Sequence, residues 1–415
     1  MKLPAPLARM RTGFAVLAAN AATKASQATG RGAGGMIGGL IANAIDPTIM
    51  EQLGASRPVA LVTGTNGKST TTRMLVGALR TKYKVATNDG GDNMDAGIIA
   101  ALMKGKSATH IALECDELHV PAVADRLRPS VLVLLNLTRD QLDRVGEINK
   151  IERVLRGAVE KHPEMTVIAN CDDVIVTSVA FDAPDVVWVS AGAGWTGDSV
   201  SCPRTGGHII RDGEDWYAAK PLQDGREFRR PTPTWSITPE GIDHEGLHEL
   251  DLKLPGRANR GNATQAIAAA VAMEVPLSDA LHATEQVDNV AGRYSTIRFE
   301  QWDVHMILAK NPAGWQEALS MVDRTADGLV IAVNGQVADG EDLSWLWDVS
   351  FEDCKDSFVH AAGERGTDLA VRLTYASIPH DLHQDPVDAI RACAPGRVEV
   401  LANYTAFRDL KKALS

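Results

Sequence analysis

The chain has 415 residues, 45% of them apolar and 23% charged, which excludes a mainly disordered chain, a collagen-like repeat and a mucin-like stalk. Roughly two or three domains fit this length. The formal net charge of −11, from 53 acidic residues against 42 Lys and Arg, argues against general nucleic-acid binding. The five cysteines, Cys115, Cys171, Cys202, Cys354 and Cys393, include no CxxC pair. Their spacing offers neither a disulfide scaffold nor a four-thiolate zinc site, so free buried thiols are expected.

Residues 6–29 read as a small-residue helix, and 32–45 as a Gly-rich turn leading into a short helix. Lys2, Arg9 and Arg11 ahead of Gly13–Ala19 give a faint export-signal pattern, which Asn20, Thr23 and Lys24 interrupt. Neither apolar stretch approaches the roughly 20 residues that cross a bilayer. Arg9, Arg11, Lys24 and Arg31 beside apolar residues leave an interfacial membrane contact open. Residues 59–63 (VALVT) form a buried strand bounded by Pro58 and a Gly-rich turn. A helix is expected over 68–82, a strand over 84–87, a helix over 95–103, and strands over 110–113 and 131–135. A helix over 148–161 and strands over 166–169 and 186–189 continue the rhythm. Such β-branched runs alternating with helices imply a mostly parallel sheet covered on both faces.

Residues 191–245 break the pattern and suggest short strands and turns. A strand over 250–254 and a helix over 258–273 restore it. The chain is expected to cross into another domain around Val290–Tyr294. Strands then follow over 304–309, 328–333, 369–374 and 398–401, with helices over 314–324, 353–362 and 386–393. The expected organisation is a short N-terminal helical segment (1–54), a central nucleotide-binding domain (55–290) and a smaller C-terminal α/β domain (291–415), with a cleft between the last two.

The strongest local signal is Gly64-Thr65-Asn66-Gly67-Lys68-Ser69-Thr70-Thr71-Thr72, between a predicted strand and a predicted helix. It is one residue shorter than the common GxxxxGK[ST] loop, but the physics is shared. Backbone N–H groups and a helix N-terminus receive phosphate oxygens. Lys68 reaches the β/γ phosphates, and Ser69 or Thr70 offers a hydroxyl to Mg²⁺. Glu114, Asp116 and Glu117 follow a predicted strand, where carboxylates suit a divalent ion beside phosphates; a solvated loop is the plainer account. Asn136–Asp143 also follows a strand. There Asn136, Gln141 and Asp143 could order metal-bound water or substrate, and Asp140 could equally cap a helix.

These residues resemble the Mur ligase superfamily, whose ATP loop is the short form seen at 64–69. More narrowly, the chain resembles the MurT-type synthetase subunits of lipid II isoglutaminyl synthases. The matching stretches are Thr87-Asn88 with Gly91–Met94, Asn136–Glu147, Lys310–Gly314 and Ser344–Glu352, and Leu254–Asn262 matches the superfamily's adenine-side loop. The resemblance covers about residues 55–410. It implies an α/β fold: a Mur-ligase-like P-loop central domain with a mostly parallel sheet, and a smaller Rossmann-like C-terminal α/β domain. It also implies roles. Gly64 to Thr70, with Asn259 and Asn262, are similar to the nucleotide contacts, and Ser69 and Glu114 to the Mg²⁺ ligands. Lys68, Glu114 and Arg293 are similar to catalytic residues. Gln141 stands where classical muramyl ligases carry a metal-contacting His, and Lys150 is wrongly spaced for their carbamylated lysine.

Asp348 resembles the aspartate that completes a Cys-His-Asp arrangement with a GatD-type glutaminase, so a heterodimer is implied. The alternative is that Trp345, Trp347 and Phe351 form a local core and Asp348 caps the next helix. MurT-type proteins often carry a four-cysteine zinc ribbon. Here Cys202-Pro203, Gly206-Gly207 and Arg230-Pro231 look like its remnants, so no structural zinc is expected, even with His208 nearby, and a degenerate β insertion is expected at about 195–240. The implied reaction is ATP- and Mg²⁺-dependent amidation of the D-glutamate α-carboxylate of lipid II through an acyl phosphate. Ammonia comes from glutamine, and Arg139, Arg257 and Arg293 are candidate substrate cations. A cytoplasmic enzyme near the inner membrane face follows, with no transmembrane span. An amino-acid-adding muramyl or folylpolyglutamate-type ligase and a non-catalytic nucleotide-binding subunit are the rivals.

Overall fold

The structure is a computed structural model and describes residues 5–28, 35–88, 92–139, 147–288, 294–340 and 342–415. It divides into two compact units: Met1–Leu137 with Ile148–Lys253 and Arg257–Asp288, and Thr138–Glu147 with Leu254–Gly256 and Asn289–Ser415.

The first unit is built on a nine-stranded sheet. Its strands are β1 (Val59–Thr63), β2 (Val85–Ala86), β3 (His110–Glu114), β4 (Val131–Leu134), β5 (Thr166–Asn170) and β6 (Val186–Ser190). A hairpin, β7 (Ile209–Asp212) with β8 (Asp215–Ala218), lies outside it, and β9 (Trp235–Ile237), β10 (Gly241–Asp243) and β11 (Leu247–Glu249) complete it. The order is β11-β10-β9-β6-β5-β4-β1-β3-β2. Pairing is parallel from β2 to β9, and β9, β10 and β11 pair antiparallel. All five residues of β1 are buried, as a central strand covered on both faces requires.

On one face Val59, Leu61, Ile111, Leu113, Leu132 and Leu134 pack in a common core with Ile98, Leu102, Val123 and Leu155 from the covering helices. The other face carries Lys68–Arg80 against Arg257–Ala272, whose Ala-rich sequence is buried for most of its length. Parallel strands joined by crossover helices bring the loops after β1, β3 and β4 to one edge, where ligands of open α/β sheets collect.

The helices Ala5–Ala28 and Gly35–Ile45 pack together, and Gly35–Ile45 also packs on Asp95–Lys104. The fully buried Asp46 anchors them, lying 2.6 Å from Arg11 Nη2 and 2.6 Å from Thr12 Oγ1. Among the described residues no helix is long and apolar enough to cross a membrane. The β7–β8 hairpin closes a small core of Val174, Cys202, Ile209, Trp216 and Phe228. Trp216 Nε1 donates to Cys171 O at 3.0 Å, and Arg230 Nε donates to Asp172 Oδ1 at 2.7 Å. Cys202 is buried in this core and His208 is exposed.

The second unit holds a six-stranded sheet: β12 (Tyr294–Phe299), β13 (Trp302–Leu308), β14 (Gly328–Ala332), β15 (Val359–Ala362), β16 (His380–Leu382) and β17 (Gly396–Ala402). The order is β12-β13-β17-β14-β15-β16, with only β12–β13 antiparallel. Separate apolar cores fill its two faces, one around Trp315, Trp345 and Phe351, the other around Val330, Val400 and Phe407. Asn311 caps Pro312–Met321, accepting from Gly314 N at 2.8 Å.

Three expectations fail. Residues 369–374 lie in the helix Gly366–Tyr375, not a strand. Residues 353–362 are not a helix but the end of a 3₁₀ turn (Phe351–Cys354) followed by β15. Residues 250–254 form no strand.

Candidate active site

The turn after β1 carries the phosphate-loop sequence, and its backbone explains the glycines. Gly64 (φ 138°) and Gly67 (φ 86°) adopt left-handed conformations. A Cβ on Gly64 would sit 2.9 Å from Asn136 O, and one on Gly67 2.5 Å from Asn262 Oδ1. The helix Lys68–Arg80 starts on Gly67, which has no side chain to cap it, and among the described residues no side chain accepts from its first-turn N–H groups. Asn136, just past β4, clamps the loop. Its Oδ1 accepts from Asn66 N at 2.9 Å, its Nδ2 donates to Asn66 O at 3.0 Å, and its carbonyl takes Thr65 N at 2.9 Å.

Lys68 folds across the turn. Its Nζ lies 2.5 Å from Gly64 O and 3.1 Å from Glu117 Oε1. Ser69 Oγ donates to Glu114 Oε2 at 2.8 Å, whereas Thr70 is buried. Glu114, the last residue of β3, is held at its backbone by Asn88, which accepts from Glu114 N at 2.9 Å and donates to Glu114 O at 2.8 Å. Asn93 Nδ2 reaches Glu114 Oε1 at 3.4 Å. Asp116 Oδ1 accepts from Leu118 N at 3.1 Å. Burial, reinforced by the charges of Asp116, Asp95 and Glu117, pushes the Cys115 thiol well up and keeps it protonated.

Asn262 lies against Gly67, and its Nδ2 is 3.5 Å from Asn259 Oδ1; both residues are buried. Arg257 is exposed and paired with Glu214 at 3.0 Å. Gln141, Asp140, Asp143, Arg31 and Arg293 lie outside the described residues. The clamps by Asn88 and Asn136 exceed what motif reading assigned to them, and Glu117, read as a candidate metal carboxylate, pairs with Lys68.

In the second unit Asp348 follows a 3₁₀ turn (Ser344–Trp347). Trp345 and Phe351 pack on Trp315, with ring centres 5.4 and 6.2 Å away. Trp347 is exposed and meets Tyr375 edge-on at 5.2 Å. The buried Arg372 secures this loop, donating to Leu346 O at 3.1 Å and Val349 O at 2.8 Å. The Asp348 carboxylate lies 3.8 Å from Arg139 Nη2 and, among the described residues, caps no backbone N–H.

The turn thus brings Lys68 beside a carboxylate–hydroxyl pair, Glu114 and Ser69, and comparison with known proteins shows the family. The family model for the Mur ligase middle domain matches residues 62–270, half of the chain. The chain belongs to the Mur ligase family. A second family model, the MurT ligase C-terminal domain, matches residues 308–407. The chain is 28% identical to the MurT subunit of the glutamine-hydrolysing lipid II isoglutaminyl synthase of Streptococcus pneumoniae, over 92% of this chain and 93% of that one. It is 27% identical to the corresponding subunit of Staphylococcus aureus strain COL, over 98% of both chains. Among solved structures, a pseudomurein peptide ligase type C from Methanothermus fervidus aligns with TM-score 0.68 and 16% identity, covering 89% of this chain and 81% of that one. That likeness concerns the fold. Members of the Mur ligase family are ATP-dependent.

Proposed function

We propose that the chain is the synthetase subunit of a lipid II isoglutaminyl synthase, amidating the D-glutamate α-carboxylate of the stem peptide. The observation that carries this reading is the gathering of Lys68 and Ser69, on the turn after β1, with Glu114 at the end of the neighbouring strand β3. The substrate carboxylate attacks the γ-phosphorus of ATP, releasing ADP and leaving an acyl phosphate. Ammonia adds to that carbonyl, and the tetrahedral adduct expels phosphate to give the amide. Lys68 and the loop N–H groups stabilise charge on the transferring phosphoryl oxygens. Ser69 and Glu114 fit Mg²⁺, a hydroxyl and a carboxylate 2.8 Å apart, and the ion would neutralise phosphate charge there. Asn259 and Asn262 are assigned to the nucleotide, and Arg293 to the substrate.

Ammonia is assigned to a GatD-type glutaminase partner. Asp348 would orient and charge-stabilise the partner's imidazole. Support comes from its placement on a loop fixed by Arg372, with exposed Trp347 and Tyr375 alongside as an aromatic docking face.

A lipid-linked substrate places the enzyme at the inner membrane face. The N-terminal helix supports this: Leu7, Met10, Phe14 and Leu17 are each more than half exposed and fall on one stripe. Met36, Ile37 and Leu40 of the next helix are exposed as well, as is Lys24. Such a face lies in the headgroup region of an anionic leaflet. The test is reconstitution with the glutaminase and lipid II. ATP- and glutamine-dependent conversion of the carboxylate to the amide, read by mass spectrometry, supports the proposal. Addition of a whole amino acid, or no ATP-dependent product, refutes it.

A further inference from the structure

The edge of the second sheet carries a cluster that the ligase chemistry does not use. His360 on β15 stands in register with Asp381 on β16. His383 follows two residues later, so strand alternation returns it to the same face. His360 Nδ1 lies 2.8 Å from Asp381 Oδ1, and His383 Nε2 lies 3.0 Å from the same oxygen. The two rings are 5.5 Å apart between centres. His383 N donates to Ala361 O at 2.9 Å, so both histidines are fixed by the strand pair. The neighbouring His380 is committed elsewhere, with Nδ1 2.8 Å from Ile378 O.

Ordinary His–Asp pairing explains only one of these contacts. His360 hydrogen-bonds to Asp381. His383 Nε2 is buried and has no hydrogen-bond partner among the described residues, despite its 3.0 Å approach to the carboxylate. The distance suits a hydrogen bond and the alignment does not. A buried ring nitrogen directed at a carboxylate without bonding to it calls for a third body. The three ligand atoms lie within 4.8 Å of one another. An ion about 2.0–2.2 Å from each needs them roughly 3–4 Å apart, a small side-chain adjustment. Asp381 is the most open of the three, with 42% of its side chain exposed, and gives access from solvent.

We propose that His360, Asp381 and His383 form a binding site for a late first-row divalent cation, zinc foremost. Two imidazoles and one carboxylate favour such an ion over Mg²⁺ or Ca²⁺, which prefer all-oxygen sets. The ion ties the edge strand β16 to β15 and keeps a fourth position for water. This site is independent of the zinc ribbon considered from the sequence. Its ligands lie 21 and 23 residues apart along the chain and meet only through parallel pairing.

The test uses the full chain, stripped with chelator and titrated with ZnCl₂ by calorimetry. One equivalent with a roughly micromolar dissociation constant is expected, weakened at least tenfold in Asp381→Asn and in His383→Gln. At a hundredfold excess of zinc over Kd the wild type gains roughly 5–10 °C in Tm and the variants do not. Circular dichroism and unchanged ATP-analogue affinity verify that the variants fold. Glu114→Gln, which alters the phosphate-loop site, retains the zinc equivalent. Equal zinc affinity in wild type and both variants, loss of the equivalent in Glu114→Gln, or no zinc binding by the wild type overturns the assignment.

Discussion

Replacing Asn136 with alanine loosens the phosphate loop without removing any group assigned to the nucleotide. The side chain makes two hydrogen bonds to one residue, at 2.9 Å to Asn66 N and 3.0 Å to Asn66 O. Its backbone bond to Thr65 survives the change. At about 1 kcal/mol for each lost bond, the ordered loop loses about 2 kcal/mol relative to alternatives. An ATP analogue must then supply that ordering, which weakens binding roughly 10- to 30-fold, since about 1.4 kcal/mol is tenfold. Asn136→Asp keeps the acceptor for Asn66 N, loses the donor and adds a negative charge beside the phosphates. It is expected to bind at least as weakly as the alanine variant and to improve as salt screens the repulsion. The assay is calorimetric titration with a non-hydrolysable ATP analogue in the presence of Mg²⁺. Circular dichroism verifies the fold. A folded Asn136→Ala protein binding within twofold of the wild type refutes the clamp.

Asp348→Asn is expected to bind ATP normally and to use free ammonia normally, while glutamine-driven amidation falls by orders of magnitude; unchanged glutamine use defeats the shared-triad assignment. Phe14→Glu with Leu17→Glu is expected to lower binding to anionic vesicles at least tenfold and leave ATP affinity unchanged, and equal vesicle co-sedimentation of the pair of variants and the wild type refutes the membrane face. Burial raises the Asp46 carboxyl, but hydrogen bonds from Thr12 and Thr48 and the charge of Arg11 outweigh it and hold its pKa below the usual value. Its contribution is therefore present above the unfolded carboxyl pKa near ~3.9 and is lost as pH falls through the lower folded value. Acid release of the N-terminal helices, followed by limited proteolysis, is expected in the wild type, and an identical pH profile in Asp46→Asn contradicts this.

Local chemistry was legible in the chain, and positioning was not. The phosphate-loop motif is recognisable because its glycines, lysine and hydroxyls all stand within nine residues. The clamps that set its shape join residues 70 apart (Asn66 and Asn136) and 26 apart (Asn88 and Glu114), and no spacing rule reveals them. Glu117 illustrates the same limit: its type suited a metal, but folding places it on Lys68. Secondary structure failed where short apolar runs fit both periods. In residues 369–374 the β-branched and aliphatic residues suggested a strand, yet Leu369 and Leu373, four apart, bury one helical stripe and Arg372 reaches from that helix to the Asp348 loop. Conversely, the alanines of β15 favour a helix in isolation, but a strand covered on both faces accepts small residues, and pairing with β14 and β16 decides the outcome. That pairing also brings His360 opposite Asp381. The features least visible in the sequence are thus those created by register, where one strand slipped by a single residue would turn both side chains to opposite faces.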